Sequence, residues 1–283
     1  MEEFRDREVD RWRLPYIGVT GFMLPGEVHQ LVHLLADRYE DQDGTLKPGR
    51  LLMIGVLASD TTLRGEQNNW PNRYPAVKRI YDIFRTASDI ADTMTFRVIH
   101  YNTQDQTTLA DQLIELYETA GGHIVSGIQI NMAWPPIDQI KRFREEVTST
   151  HRTILHLGKA AMLGQLPDKI AYKVAGYGDL ITDILIDPSG GVGFEVNPEM
   201  YYKTMDAIVA KTDGKIGVGF AGGLSKNSSE QLRSLYSTYS GIARISIDAQ
   251  GRLRDPEDHL DIIEAFDYIE MAIEAIQFSR GLR

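Results

Sequence analysis

The chain has 283 residues, of which 42% are hydrophobic and 25% charged, a make-up that fills a sizeable core and lies outside the range of disordered segments. Lys and Arg number 30 against 40 Asp and Glu, and the formal charge of −10 opposes non-specific attraction to nucleic acid or an anionic membrane, though not a small anion held locally. Cysteine is absent, which excludes disulfides, thiolate metal sites and thiol nucleophiles.

The opening stretch from Met1 to Asp10 is too charged for the apolar core of a signal peptide. The longest apolar run, Leu51 to Ala58, is far short of the roughly 20 residues of a membrane span. These features predict a cytoplasmic protein.

Compact runs rich in Val, Ile and Phe predict strands at Tyr16–Phe22, Arg50–Ala58, Thr95–Tyr101, Gly127–Asn131, Thr153–Leu157, Ile181–Asp187, Lys215–Phe220 and Ala243–Asp248. Helical faces lie between them: Val28, Leu31, Val32 and Leu35; then Leu109, Leu113, Leu116 and Tyr117; then Ile137, Ile140, Phe143 and Val147. Strands that are apolar on both sides require cover on both faces, so the sheet is expected to be parallel. Eight strand–helix units favour closure into a single (β/α)8 TIM barrel, which needs about 250 residues. The competing open sheet lacks its dinucleotide fingerprint, because the first turn reads Thr20-Gly21-Phe22-Met23-Leu24-Pro25-Gly26. One domain is expected over 1–283, with residues 1–14 an N-terminal extension and 59–74 a long polar loop after the second strand, of a composition that suits a mobile loop.

In such barrels chemistry sits where strands hand over to the following loops. Asp187 ends an apolar strand just before Pro188 and Gly190-Gly191, where a half-buried carboxylate is poised for proton transfer, or else caps its own turn. Gly222 and Gly223 lead through Leu224 and Ser225 into a helix expected to start near Lys226, with a capping box of Ser228 and Gln231 as the alternative start. Bare amides at a helix start suit a phosphate, although a tight turn needing positive φ explains the same pair. Gly251, after the eighth strand, occupies the second of the two loops that clasp phosphate in these barrels. Among the basic residues Arg73 is the candidate for an anionic substrate, and His156 near the end of the fifth strand is a reserve base. His29 and His33 are four apart but lack the carboxylate of a zinc helix, and neither a metal nor a cofactor is expected.

Taken together these segments resemble the phosphoribosylanthranilate isomerase family, whose barrel converts an aldosylamine to a ketosylamine. Leu185-Ile186-Asp187 with Gly190, Gly191 and Gly193 is similar to the family's sixth-strand motif, and Ala221 to Ser225 to its phosphate turn. Arg73-Tyr74 resembles a substrate-contacting segment, Val98 to Asn102 the third strand, and Ile128 to Asn131 with Pro135-Pro136 the fourth. The resemblance implies Asp187 as general acid, with Arg73, Asn131, Gly191, Gly222, Gly223, Ser225 and Gly251 on substrate or phosphate. At the end of the first strand Thr20 stands where the family has its basic cysteine, and a threonine hydroxyl is no base near neutral pH without activation. Asp248 or His156 would then be the second group.

Three readings follow: an isomerase of a phosphorylated sugar derivative, a barrel performing a lyase or aldolase-type step on such a ligand, and a non-catalytic binding or scaffold protein. The expected partner is a phosphorylated small molecule, with no nucleic acid or membrane, and a homodimer is an open expectation.

Overall fold

In the computed structural model the described residues are 11–147, 152–187, 198–239 and 241–281. Eight strands close into one parallel barrel in sequence order: β1 (Tyr16–Thr20), β2 (Leu51–Ser59), β3 (Thr95–Asn102), β4 (Gly127–Ile130), β5 (Arg152–Gly158), β6 (Asp183–Asp187), β7 (Gly217–Ala221) and β8 (Ile245–Ala249). The ring is sealed between β8 and β1, where Gly18 pairs with Asp248. All eight predicted strands exist and the fold is the (β/α)8 barrel.

Helices alternate with the strands: α1 (Pro25–Tyr39), α2 (Asp60–Leu63), α3 (Val77–Ala91), α4 (Leu109–Thr119), α5 (Ile137–Glu146), α6 (Lys159–Met162), α7 (Pro167–Gly176), α8 (Pro198–Thr212), α9 (Ser229–Tyr239) and α10 (Ile262–Ser279). In α1 the inward stripe is Val28, Leu31, Val32 and Leu35, as the 3.6-residue period requires. In α5 Ile140 and Phe143 are buried, but Ile137, at the first turn, is exposed.

Strand boundaries shift by one or two residues, and three places show the physical reason for where an element starts or stops. β1 stops at Thr20, because Gly21 adopts φ 105° and both its amide and that of Phe22 turn onto the Gly55 carbonyl. The stretch after β5 holds two helices, α6 and α7, separated by a turn at Gly164 with φ 67°. The helix after β7 begins at Ser229, a full turn beyond Lys226, and the Ser228 hydroxyl accepts from the Ser225 amide at 3.1 Å.

Strand alternation sends every second residue into the barrel. At the lower end Arg152 donates two hydrogen bonds to Asp183, at 3.0 and 2.6 Å, and its guanidinium lies 4.6 Å from the Phe96 ring centre. Arg244 adds a contact to Asp183 at 3.3 Å. Trp12 and Leu14 cover this end, and the Leu14 carbonyl accepts from Arg152 at 2.9 Å, so these residues of the expected extension close the barrel floor. Above the ion cluster Met53, Val98, Ile154 and Leu185 form an apolar plug.

Burial pushes the Asp183 carboxyl up, but Arg152 and Arg244 outweigh it and hold its pKa below the ordinary value. The unfolded chain therefore takes up the proton first. This stabilisation is complete above the ordinary carboxylate range and is lost as pH falls through the folded-state value. Asp183→Asn strands buried cations and is expected to cost about 3–5 kcal/mol at pH 7 in urea unfolding. An unchanged midpoint would show that the cluster contributes nothing to stability.

Candidate active site

At the C-terminal end of the strands the barrel opens into a cavity of about 480 Å³. Its walls are the last inward residues of the strands and the loops behind them: Leu57, His100 with Asn102, Gln129 with Asn131, His156, Asp187, Ala221 to Leu224, and Asp248 to Arg252.

Two carboxylates face this space. Ile186 pairs with Phe220 and Ala221 with Asp248, so Asp187 and Asp248 flank Ala221 at one level, about two strand spacings or ~10 Å apart at the backbone. Asp187 is 7% exposed and Asp248 6%. The Tyr201 hydroxyl, reaching in from α8, hydrogen-bonds to the Ile186 carbonyl at 2.8 Å and to that of Ala221, fixing both strand ends beside Asp187. His156 brings Nε2 to 3.5 Å from Asp187 Oδ2.

Asp248 is the more perturbed acid. Burial, and then the charge of Asp187, push its pKa up to about 7 against the opposing hydrogen bond from Thr20. Thr20 Oγ1 donates to the carboxylate at 2.9 and 3.1 Å. Gly18 makes this packing possible: a Cβ there would sit 2.7 Å from Asp248 Oδ1.

Thr20 itself is 1% exposed and lies behind Asp248, outside the cavity wall. Arg254 covers the neighbouring mouth of β1, donating to the carbonyls of Gly21 at 3.0 Å, Asn72 at 3.1 Å and Asp258 at 2.7 Å. A side chain on Gly21 would collide with that guanidinium. Thr20 is therefore placed as a partner of Asp248 and not as a base reaching substrate.

Arg73 lines the cavity, but its guanidinium is engaged by Asp258, with Nε at 2.7 Å and Nη2 at 2.7 Å, and it lies over the Trp70 ring at 4.6 Å. With the Asn72 amide donating to the Glu257 carbonyl at 2.9 Å, these contacts staple the loop after β2 to the loop after β8. The segment 59–74 is thus a helical turn at α2, capped by Ser59, followed by a stretch tied to the loop after β8.

Gly222 and Gly223 line the cavity with φ of 108° and 71°, a backbone that presents amides without side-chain bulk. Gly251 lines it from the loop after β8. Ser225 lies outside the wall, its amide held by Ser228. Asn131 belongs to the wall, while Gly191 lies outside the described residues, as do Pro188, Gly190 and Gly193. His29 and His33 are exposed on α1 with their rings 4.4 Å apart, and neither lines the cavity.

Sequence reasoning missed His100, Gln129 and Arg252. His100 and Gln129 are each 2% exposed yet line the cavity. Their signal was a polar residue recurring at i and i+2 at strand ends, His100 with Asn102 and Gln129 with Asn131, in otherwise apolar runs.

No protein-family model matches the chain, and no curated protein does. Solved structures do. The phosphoribosyl anthranilate isomerase of Thermus thermophilus aligns over 92% of this chain and 98% of its own, with TM-score 0.59 and 12% identity. A rubisco-like protein of Alicyclobacillus acidocaldarius aligns over 96% of this chain and 64% of its own, with TM-score 0.55 and 13% identity. The tryptophan synthase alpha chain of Legionella pneumophila aligns over 96% of both chains, with TM-score 0.53 and 11% identity. Likeness to several families at such identities is a likeness of fold, and the activity must be argued from the site.

Because the Thr20 hydroxyl favours the ionised form of Asp248, Thr20→Val is expected to raise the carboxyl's midpoint above about 7. A 13C titration of the Asp248 side chain checks this. A midpoint that stays or falls would show that the hydrogen bond does not control its proton.

Proposed function

We propose that this barrel is an enzyme that isomerises a phosphorylated sugar derivative, an aldose–ketose or Amadori-type proton shift between C1 and C2. The observation that carries this reading is the pairing, on adjacent walls of one cavity, of a buried carboxyl titrating near neutrality with a glycine-built anion cradle. Gly222, Gly223 and Gly251 hold the phosphate through backbone amides, with Arg252 on the same rim.

The chemistry needs one proton delivered to the ring oxygen and one removed from C2, after which the enol so formed gives up its hydroxyl proton and takes one at C1. Asp187 delivers the first, with His156 beside its Oδ2 to share and replace the proton. Asp248, oriented by Thr20, removes the second; a carboxylate with a pKa near 7 is a far stronger base than an exposed one. Asn131 from the opposite side and the tethered Arg73 from the loop after β2 position the ligand. The resemblance to the isomerase family at Asp187 and at the Gly222-Gly223 turn supports the same assignment. A Schiff-base lyase step finds less support, because among the described residues the cavity wall contains no lysine.

Incubation of D-ribose 5-phosphate and of 5-phosphoribosylamines in D2O, followed by NMR, is expected to show the C2 hydrogen lost, with deuterium entering C1 of the ketose product and C2 of the recovered substrate. The rate should rise with pH through about 7 as Asp248 loses its proton, and Asp187→Asn and Asp248→Asn should each lower it about 100-fold or more. Phosphosugar binding without exchange would instead support the non-catalytic binding reading.

A further inference from the structure

The wall facing the glycine cradle has its own chemistry. β3 and β4 stand four strands from β7 and β8, across the barrel mouth. Gln129 Nε2 donates to Asn131 Oδ1 at 2.8 Å and lies 3.0 Å from His100 Nδ1. An amide nitrogen cannot accept, so Nδ1 is the acceptor and the imidazole carries its proton on Nε2. Burial, and then the proximity of His156, push the His100 pKa down to about 3, and the ring is neutral at any working pH. Among the buried polar atoms of the described residues that lack a partner, two belong to residues lining the cavity on this wall: His100 Nε2, a donor, and Gln129 Oε1, an acceptor. Unpaired polar atoms in a packed wall are costly unless something in the cavity pairs with them. Gly55 makes room for His100 and Thr20 to pack side by side, since a Cβ there would come within 3.1 Å of His100 Nε2 and collide with Thr20 Oγ1.

We infer that the β3–β4 wall is a neutral recognition subsite, in which His100 and Gln129 select a ligand end that both accepts and donates hydrogen bonds, such as a sugar hydroxyl, and reject a carboxylate. This rests on the phosphosugar reading of the cradle and adds what the other end of the ligand must be. A carboxylate accepts but cannot donate, so it would leave Gln129 Oε1 facing an anion. Among the described residues no cation compensates it on this wall: of the cavity's arginines, Arg73 is occupied by Asp258 and Arg252 belongs to the loop after β8. His156 is already beside Asp187. Asp187 and Asp248 add repulsion.

Calorimetry with two ligands that share phosphate and chain length, ribitol 5-phosphate and 5-phosphoribonate, tests this on the intact protein, with glycerol 3-phosphate as the probe of the cradle alone. Ribitol 5-phosphate is expected to bind at least about tenfold more tightly than the ribonate. Gln129→Met is expected to shrink that preference to about threefold or less while glycerol 3-phosphate binding is unchanged. Equal or tighter binding of the ribonate by the natural protein, or full discrimination by Gln129→Met, would overturn the neutral subsite with the phosphate cradle intact. Silence of all three phosphates would overturn the cradle and the inference with it.

Discussion

The closed ring of parallel strands is the constraint from which the rest of the molecule follows. Once Gly18 pairs with Asp248 across the seam, no strand has a free edge and the inward or outward fate of each strand residue is set by its parity. That parity stacks three layers inside one cylinder. The floor carries Arg152 and Asp183, the middle is apolar, and the mouth carries Asp187, Asp248, His156, His100 and Gln129. The apolar plug separates two charged layers, so the carboxylates above do not draw on the arginines below.

The site is bought with stability. With its pKa near 7 in the fold against about 3.9 in an unfolded chain, ionising Asp248 costs on the order of 4 kcal/mol at alkaline pH. Three glycines, Gly18, Gly55 and Gly158, leave room for Asp248, for Thr20 with His100, and for His156. Across the top of β1 the Arg254 guanidinium and the Arg73–Asp258 pair join two loops into a strap, and burial, then the charge of Arg73, draw the pKa of Arg254 down to about 10. The strap closes off Thr20. Thr20 instead donates to Asp248 and favours the ionised form of that carboxyl.

Much of this was legible in the residues. The apolar runs located every strand, because a strand covered on both faces has to read as a continuous hydrophobic stretch, and Asp187, Asp248 and Gly222-Gly223 stood out as polar or glycine punctuation at the ends of such runs. The strand ends were less exact: Gly21 reads as part of β1 until its positive φ is known. The strap was not legible at all, since Arg73 and Asp258 are 185 positions apart and nothing local says that one guanidinium is already taken. His100 and Gln129 were missed for a different reason. A buried polar residue in an apolar strand looks like an isolated exception until barrel closure shows that both exceptions face the same cavity.

The account stands on a phosphate held at the glycine cradle with the reacting carbons beside Asp187 and Asp248. A crystal structure of the protein soaked with D-ribulose 5-phosphate tests it most directly. It predicts phosphate density against the amides of Gly222, Gly223 and Gly251, with C1 and C2 between the two carboxylates. Phosphate bound elsewhere, or a sugar chain turned away from Asp248, would contradict it.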